Sequence, residues 1–71
     1  MNTDHLVKMA NEISAFFVGE SGPEKAPADV AAHLKKFWES RMRREIIAYH
    51  QRGGAGLSET ALRAVESLNK D

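Results

Sequence analysis

The sequence predicts an all-α fold, a small bundle of three or four short helices. Apolar residues recur every three or four positions in several segments, and stretches rich in Gly and Pro separate those segments. No segment shows the strict alternation of a β-strand. With 71 residues, 42% of them hydrophobic and 28% charged, the chain has the composition of one ordinary globular domain, expected to span residues 1–71.

The first helix is predicted at about residues 4–18. Its apolar positions form one helical stripe, which comprises Leu6, Met9, Ala10, Ile13, Phe16 and Phe17. Thr3 or Asp4 is expected to cap the start of this helix, and Gly19 is expected to end it. The following stretch "GESGPEKAP" is rich in turn-forming residues and predicts a loop.

Two further helices are predicted at about residues 27–38 and 40–52. Pro27 suits the first helical position, where its missing N–H costs nothing. The apolar face of the second helix is formed by Val30, Leu34, Phe37 and Trp38. Ser40 is suited to cap the third helix, and we favour a short break at this residue over one kinked rod.

A fourth helix is predicted at about residues 59–69, after a "GGAG" turn that ends the third helix. Leu57 precedes Ser58, and Leu62 follows four residues later, which is the hydrophobic-staple pattern around an N-cap. The glycines alone would also suit a phosphate-binding loop, but such a loop follows a strand, and here a helix precedes it. A tight turn between two helices is therefore the better interpretation.

The sequence shows no pattern typical of a catalytic or metal site. It has no cysteine, its three histidines (His5, His33 and His50) lack ligand spacing, and no serine has a recognisable activating partner. We therefore expect no catalytic residue, no metal and no cofactor bound by this chain. Because a domain this small has a marginal core, a partner protein is expected to stabilise it.

The chain is expected to be cytoplasmic and to have no membrane contact. No apolar run approaches the roughly 18–20 residues that cross a bilayer. The first 20 residues have neither the basic leader nor the continuous apolar segment of a signal peptide.

The middle of the chain is basic although the whole chain is neutral. Residues 33–52 carry six Lys and Arg against two Glu, a net charge of 6 − 2 = +4. At their centre, "FWESRMRR" places two large aromatic residues beside three arginines. Tryptophan and arginine are enriched in binding hot spots, so this cluster favours protein docking over a merely solvated basic face. Within it, Arg41 is positioned to pair with Glu45 one turn later.

Nucleic acid binding is the alternative for the same cluster. A short turn between two helices, with arginines opening the second, is compatible with a helix-turn-helix. However, an isoelectric point near 6.8 is not the basic balance of a duplex binder, so we expect no nucleic acid partner.

Three stretches together resemble the delta subunit of soluble NAD-dependent formate dehydrogenases, which are molybdenum or tungsten enzymes. They are "LVKMANEISAFF" at residues 6–17, "HLKKFWESRMRREI" at 33–46 and "GGAGLS" at 53–58, in the same order and with similar spacing as in that family. One departure is Ser40, which stands where the family commonly has proline.

The resemblance implies a non-catalytic accessory subunit that supports assembly, cofactor maturation or stability of a larger enzyme. In that family the alpha, beta and gamma subunits carry the molybdenum or tungsten pterin, the iron–sulfur clusters, the FMN and the NAD site. A transient chaperone for molybdenum cofactor insertion is a second possible role. An isolated copy is also expected to self-associate if Phe16, Phe17 or Trp38 is exposed.

The resemblance and the basic cluster together give ten expected partner-binding residues. They are Phe37, Trp38, Arg41, Met42, Arg43, Arg44, Gly53, Gly54, Gly56 and Leu57.

Overall fold

The computed structural model describes residues 2–70, which form four α-helices and no β-strand. The helices are α1 (Thr3–Ser21), α2 (Ala26–Phe37), α3 (Ser40–Gln51) and α4 (Glu59–Asn69). The predicted all-α class is therefore confirmed. None of these helices combines the length and the apolar character that a membrane crossing requires.

Helix α1 is longer than predicted at both ends. Its N-cap is Asn2, whose side-chain oxygen accepts a hydrogen bond from the Asp4 N–H at 2.8 Å, so the expected cap at Thr3 or Asp4 is wrong. The helix continues through Gly19, because a single glycine costs only about 1 kcal/mol in a helix. It ends at Gly22, whose φ of 85° lies in the region that favours glycine.

Helix α2 begins one residue earlier and ends one residue earlier than predicted. Ala26 is its first residue, and Pro27 lies in the first turn, where no hydrogen bond is lost. Trp38 has an extended backbone conformation (φ −88°, ψ 138°) and no longer belongs to the helix. The expected break before α3 is present, but Ser40 is the first residue of α3, and the N-cap position is occupied by Glu39.

The four helices share one hydrophobic core. Helix α2 packs most extensively against α4 and also lies against α1. The buried apolar side chains are Leu6, Ala10, Val30, Ala31, Leu34, Trp38, Ile46, Leu57, Ala61, Ala64, Val65 and Leu68. The alanines allow the helix backbones to approach closely, and the larger side chains fill the centre. At the start of α4, the Ser58 hydroxyl accepts a hydrogen bond from the Ala61 N–H at 3.2 Å, as expected of an N-cap serine.

Candidate functional site

The elbow between α2 and α3, residues 35–44, contains two adjacent aromatic side chains with opposite surroundings. The Trp38 side chain is buried in the core, with 5% of the residue exposed. Phe37 is the last residue of α2 and is 63% exposed. Of the two aromatic residues expected to bind a partner, Phe37 presents its ring to solvent and Trp38 packs inside the domain.

The Arg43 side chain links the two helices of the elbow by hydrogen bonds. Its Nη1 donates to the backbone carbonyls of Lys35, at 3.2 Å, and of Trp38, and its Nη2 donates to the Ser40 hydroxyl at 3.1 Å. These carbonyls lie at the C-terminal end of α2, where the helix dipole favours a cation. An arginine that is unfavourable at the start of α3 is therefore favourable at the end of α2.

The other two arginines of the elbow remain at the surface. Arg41 and Arg44 are both exposed, whereas Met42 is half-buried against the core. The expected pair of Arg41 with Glu45 is not formed among residues 2–70. The Glu45 carboxylate instead accepts a hydrogen bond from the Thr3 hydroxyl at 2.5 Å, which ties the start of α1 to α3.

A shallow recess of about 430 Å³ lies beside the elbow. It is lined by Lys35, Ser40, Arg43, Arg44, Ile47 and Leu68. With three cationic and two aliphatic side chains in its lining, the recess suits an acidic side chain of a protein partner better than a free hydrophobic ligand.

The glycine turn (Gly53–Leu57) follows α3 and is only partly exposed. Gly54 is buried with a φ of 64°, and a Cβ at this position would lie 2.7 Å from a leucine side chain of α4. Leu57 is buried in the core, and its N–H donates to the Gly54 carbonyl at 3.1 Å. Gly53 and Gly56 are exposed. Two of the four residues expected to dock from this turn are therefore internal.

Helix α1 holds the glycine turn through one side chain that was absent from the expected site residues. The Asn11 amide nitrogen donates to the Gly56 carbonyl at 2.8 Å, and its oxygen accepts from the Ser58 N–H at 2.9 Å. From α3, the Tyr49 hydroxyl donates to the Ala55 carbonyl at 2.5 Å. The available signal was an asparagine in the middle of a predicted helix, where its propensity is poor.

We expect Asn11→Ala to lower the free energy of unfolding by about 1–2 kcal/mol, because two hydrogen bonds between α1 and the turn are lost. For a domain of this size each 1 kcal/mol lowers the melting temperature by about 4–8 °C. Glu12→Ala, at the exposed neighbouring position, is the matched control and should change stability by less than about 0.5 kcal/mol. Equal melting temperatures for the two variants would contradict the role assigned to Asn11.

Four aromatic rings form a continuous strip across α1 and α2, which we call the aromatic strip (Phe16, Phe17, His33 and Phe37). The ring centroids lie 5.2 Å apart for Phe16 and Phe17, 5.9 Å for Phe17 and His33, and 4.6 Å for His33 and Phe37. Phe16 is 60% exposed. The assignment of Phe16 and Phe37 to core-facing stripes was therefore wrong, because each ring lies at the edge of the face that its helix buries.

The part of the chain that the structure describes contains no group of three or more His, Asp or Glu residues able to hold a metal ion. The arrangement found at the elbow and the strip consists of exposed aromatic rings, exposed cations and a firmly held backbone. Such a surface is chemically suited to bind another protein.

The comparison with curated proteins and the comparison with solved structures give no match. A family model does match, and it covers residues 5–65, which include α2, α3 and most of α1 and α4. The match thus extends over the helices, the elbow and the glycine turn described above. The chain belongs to the family of the NADH-dependent formate dehydrogenase delta subunit, FdsD.

Proposed function

We propose that the chain is a non-catalytic accessory subunit of NADH-dependent formate dehydrogenase and docks on the catalytic alpha subunit. The observation that carries the proposal is the elbow, where Phe37, Arg41 and Arg44 are exposed on a backbone that Arg43 holds in place. Family membership gives the enzyme to which such a surface would bind. By docking, the chain supports assembly, cofactor maturation or stability of the complex.

The ten expected partner-binding residues take two different roles in this proposal. Those at the surface contact the partner directly: Phe37, Arg41, Arg44, Gly53 and Gly56. Those that are buried or engaged within the domain position the first group: Trp38, Met42, Arg43, Gly54 and Leu57. Exposed aromatic and arginine side chains on a rigid support are the usual composition of a binding hot spot.

The redox groups implied by the resemblance belong to the larger subunits in this proposal. The pterin-bound molybdenum or tungsten, the iron–sulfur clusters, the FMN and the NAD site are carried by alpha, beta and gamma, and none by this chain. Its place of action is the cytoplasm, where the complex is assembled.

Co-purification tests the docking. A tagged chain with Phe37→Ser, Arg41→Glu and Arg44→Glu should retain at least about tenfold less alpha subunit than the wild type, because both the apolar anchor and the charges are altered. Arg63→Glu is the matched control, since Arg63 is an exposed arginine on α4 whose contact is an ion pair with Glu59 at 3.0 Å. This control should retain alpha at the wild-type level.

Two outcomes would refute the docking proposal. One is wild-type retention of alpha by the triple variant, provided that its circular dichroism spectrum shows a folded domain. The other is equal loss of alpha in the triple variant and in Arg63→Glu. Substoichiometric chain in the finished wild-type enzyme would instead favour the transient chaperone for cofactor insertion.

A further inference from the structure

The aromatic strip contains the large apolar side chains that are exposed among the described residues. Phe16 and Phe37 are the two large hydrophobic residues that are exposed among residues 2–70, and both belong to the strip. The exposed residues of α4 include Arg63, Glu66 and Ser67, which are polar. The face formed by α1 and α2 is therefore the apolar face of the outer surface.

The rings of the strip are packed against one another. Phe17 packs against the core from α1, and His33 lies between the rings of Phe17 and Phe37. Because the rings restrain one another, little side-chain entropy remains to be lost on association. Rigid aromatic side chains of this kind are efficient interface anchors.

The charges beside the strip differ between its two edges. Glu12 and Glu20 lie one helical turn on either side of Phe16, and both are exposed. At the other edge, residues 36–44 of the elbow carry four Lys and Arg against one Glu, a net charge of 4 − 1 = +3. The Lys36 ammonium lies 5.5 Å from the centroid of the Phe37 ring.

This charge distribution favours a negatively charged partner over a second copy of the chain. In a symmetric pair of strips, two glutamates of one copy would face residues 36–44 of the other, whose net charge is +3, so cationic charge would remain in excess. A partner surface with additional carboxylates opposite the elbow compensates that excess and also steers the encounter.

Because the domain is small, an interface of standard area covers a large share of its surface. A standard interface buries about 800 Å² on each partner, and the accessible surface of the described residues is 4468 Å². Docking thus uses about a fifth of this surface, as much as one broad side of a molecule measuring 29 × 22 × 18 Å. The aromatic strip extends the elbow across α2 to α1 and so enlarges the surface that can contact a partner.

We infer that the aromatic strip, together with the elbow, is the face that contacts the alpha subunit, and this inference rests on the function proposed above. The surface of alpha that contacts this face is apolar, and Asp and Glu side chains border it opposite Lys36 and Arg41. Phe16, Phe17 and His33 thereby join the partner-binding residues, and α4 faces solvent in the complex.

Site-specific photo-crosslinking in the assembled enzyme tests this face. The photoreactive residue p-benzoylphenylalanine replaces Phe16 or Phe37 in two variants, and Arg63 or Glu66 on α4 in two controls. Irradiation of the co-purified complex, followed by peptide mass spectrometry, should join positions 16 and 37 to alpha-subunit peptides that contain Asp or Glu. Positions 63 and 66 should give less than a tenth of that yield.

The crosslinks distinguish two errors: a wrong assignment of the contact face and a wrong proposed function. If all four variants co-purify with alpha but only positions 63 and 66 crosslink to it, the strip is not the contact face. The proposed accessory function would then still stand. Crosslinks from the strip to a second copy of the chain would also overturn the inference. If the wild-type chain does not co-purify with alpha at all, the proposed function itself fails.

A double substitution provides a second readout. Phe16→Ser with Phe37→Ser should reduce the retained alpha subunit by about tenfold or more, because both exposed rings are removed. The melting temperature of the isolated domain should be nearly unchanged, since neither ring is part of the buried core. A folded double variant that retains alpha at the wild-type level would overturn the inference.

Discussion

Replacing Trp38 with alanine is expected to lower the free energy of unfolding by about 3–5 kcal/mol, the range for removal of a large buried aromatic side chain. Trp38 is 5% exposed and belongs to the core that α2 and α4 share. A domain of 71 residues has a total stability of roughly 4–10 kcal/mol, so the loss is a large fraction of the whole. Much of the isolated variant should therefore be unfolded at physiological temperature.

The neighbouring phenylalanine gives the matched control for this prediction. Phe37→Ala removes a similar ring from the adjacent position, but the ring is 63% exposed, so stability should change by about 0.5 kcal/mol or less. Urea denaturation followed by circular dichroism measures both variants. Equal midpoints for Trp38→Ala and Phe37→Ala would contradict the opposite surroundings that the structure gives these two rings.

Arg43→Ala is expected to lower the free energy of unfolding by about 2–3 kcal/mol, because hydrogen bonds from a charged donor to the end of α2 are lost. The guanidinium bridges two carbonyls and the Ser40 hydroxyl, which a single ammonium does not reproduce in full. Arg43→Lys should therefore recover the favourable interaction of a cation with the helix dipole and give an intermediate stability.

Arg44→Ala is the matched control for Arg43, because Arg44 is the adjacent arginine and is exposed. Its removal should change stability by less than about 0.5 kcal/mol. Thermal unfolding of the three variants at one pH is sufficient for the comparison. A larger loss for Arg44→Ala than for Arg43→Ala would refute the assignment of Arg43 as the side chain that fastens the elbow.

The helical class was predictable because it depends on local patterns. Apolar spacing and the N-cap at Ser58 each depend on a few neighbouring residues, and the structure agrees with both. The loop predicted at residues 19–27 is shorter than expected, because α1 continues to Ser21 and α2 begins at Ala26. The end of α1 was not predictable from Gly19 alone. Two glycines lie three residues apart, and the helix ends at the second, where Pro23 follows and a positive φ is adopted.

The sequence could not predict which of the expected site residues are exposed and which are buried within the domain. Phe37 and Trp38 are adjacent, and which ring is buried depends on where α2 ends. Carbonyls at that end accept hydrogen bonds from Arg43 of the next helix, a contact that the local sequence pattern does not reveal. Likewise, the contacts of Asn11 with the glycine turn join residues that are more than 40 positions apart. Helical periodicity gives the face of a residue but not the partner that covers it.

Several residues that carry the family resemblance therefore maintain the fold. Asn11, Trp38, Arg43 and Gly54 hold helices and turns together within the domain. The exposed rings and cations next to them are the side chains that we propose for contact with a partner. This arrangement is compatible with the proposed action by binding, since these motifs shape a surface.

The most direct measurement of the accessory role is the rate of formate-dependent NADH formation by the enzyme produced in cells with and without this chain. We predict that cells without the chain yield less active enzyme and that the wild-type chain restores the rate, whereas the purified chain alone gives none. Equal rates and equal stability of the enzyme in the two kinds of cell would contradict the account.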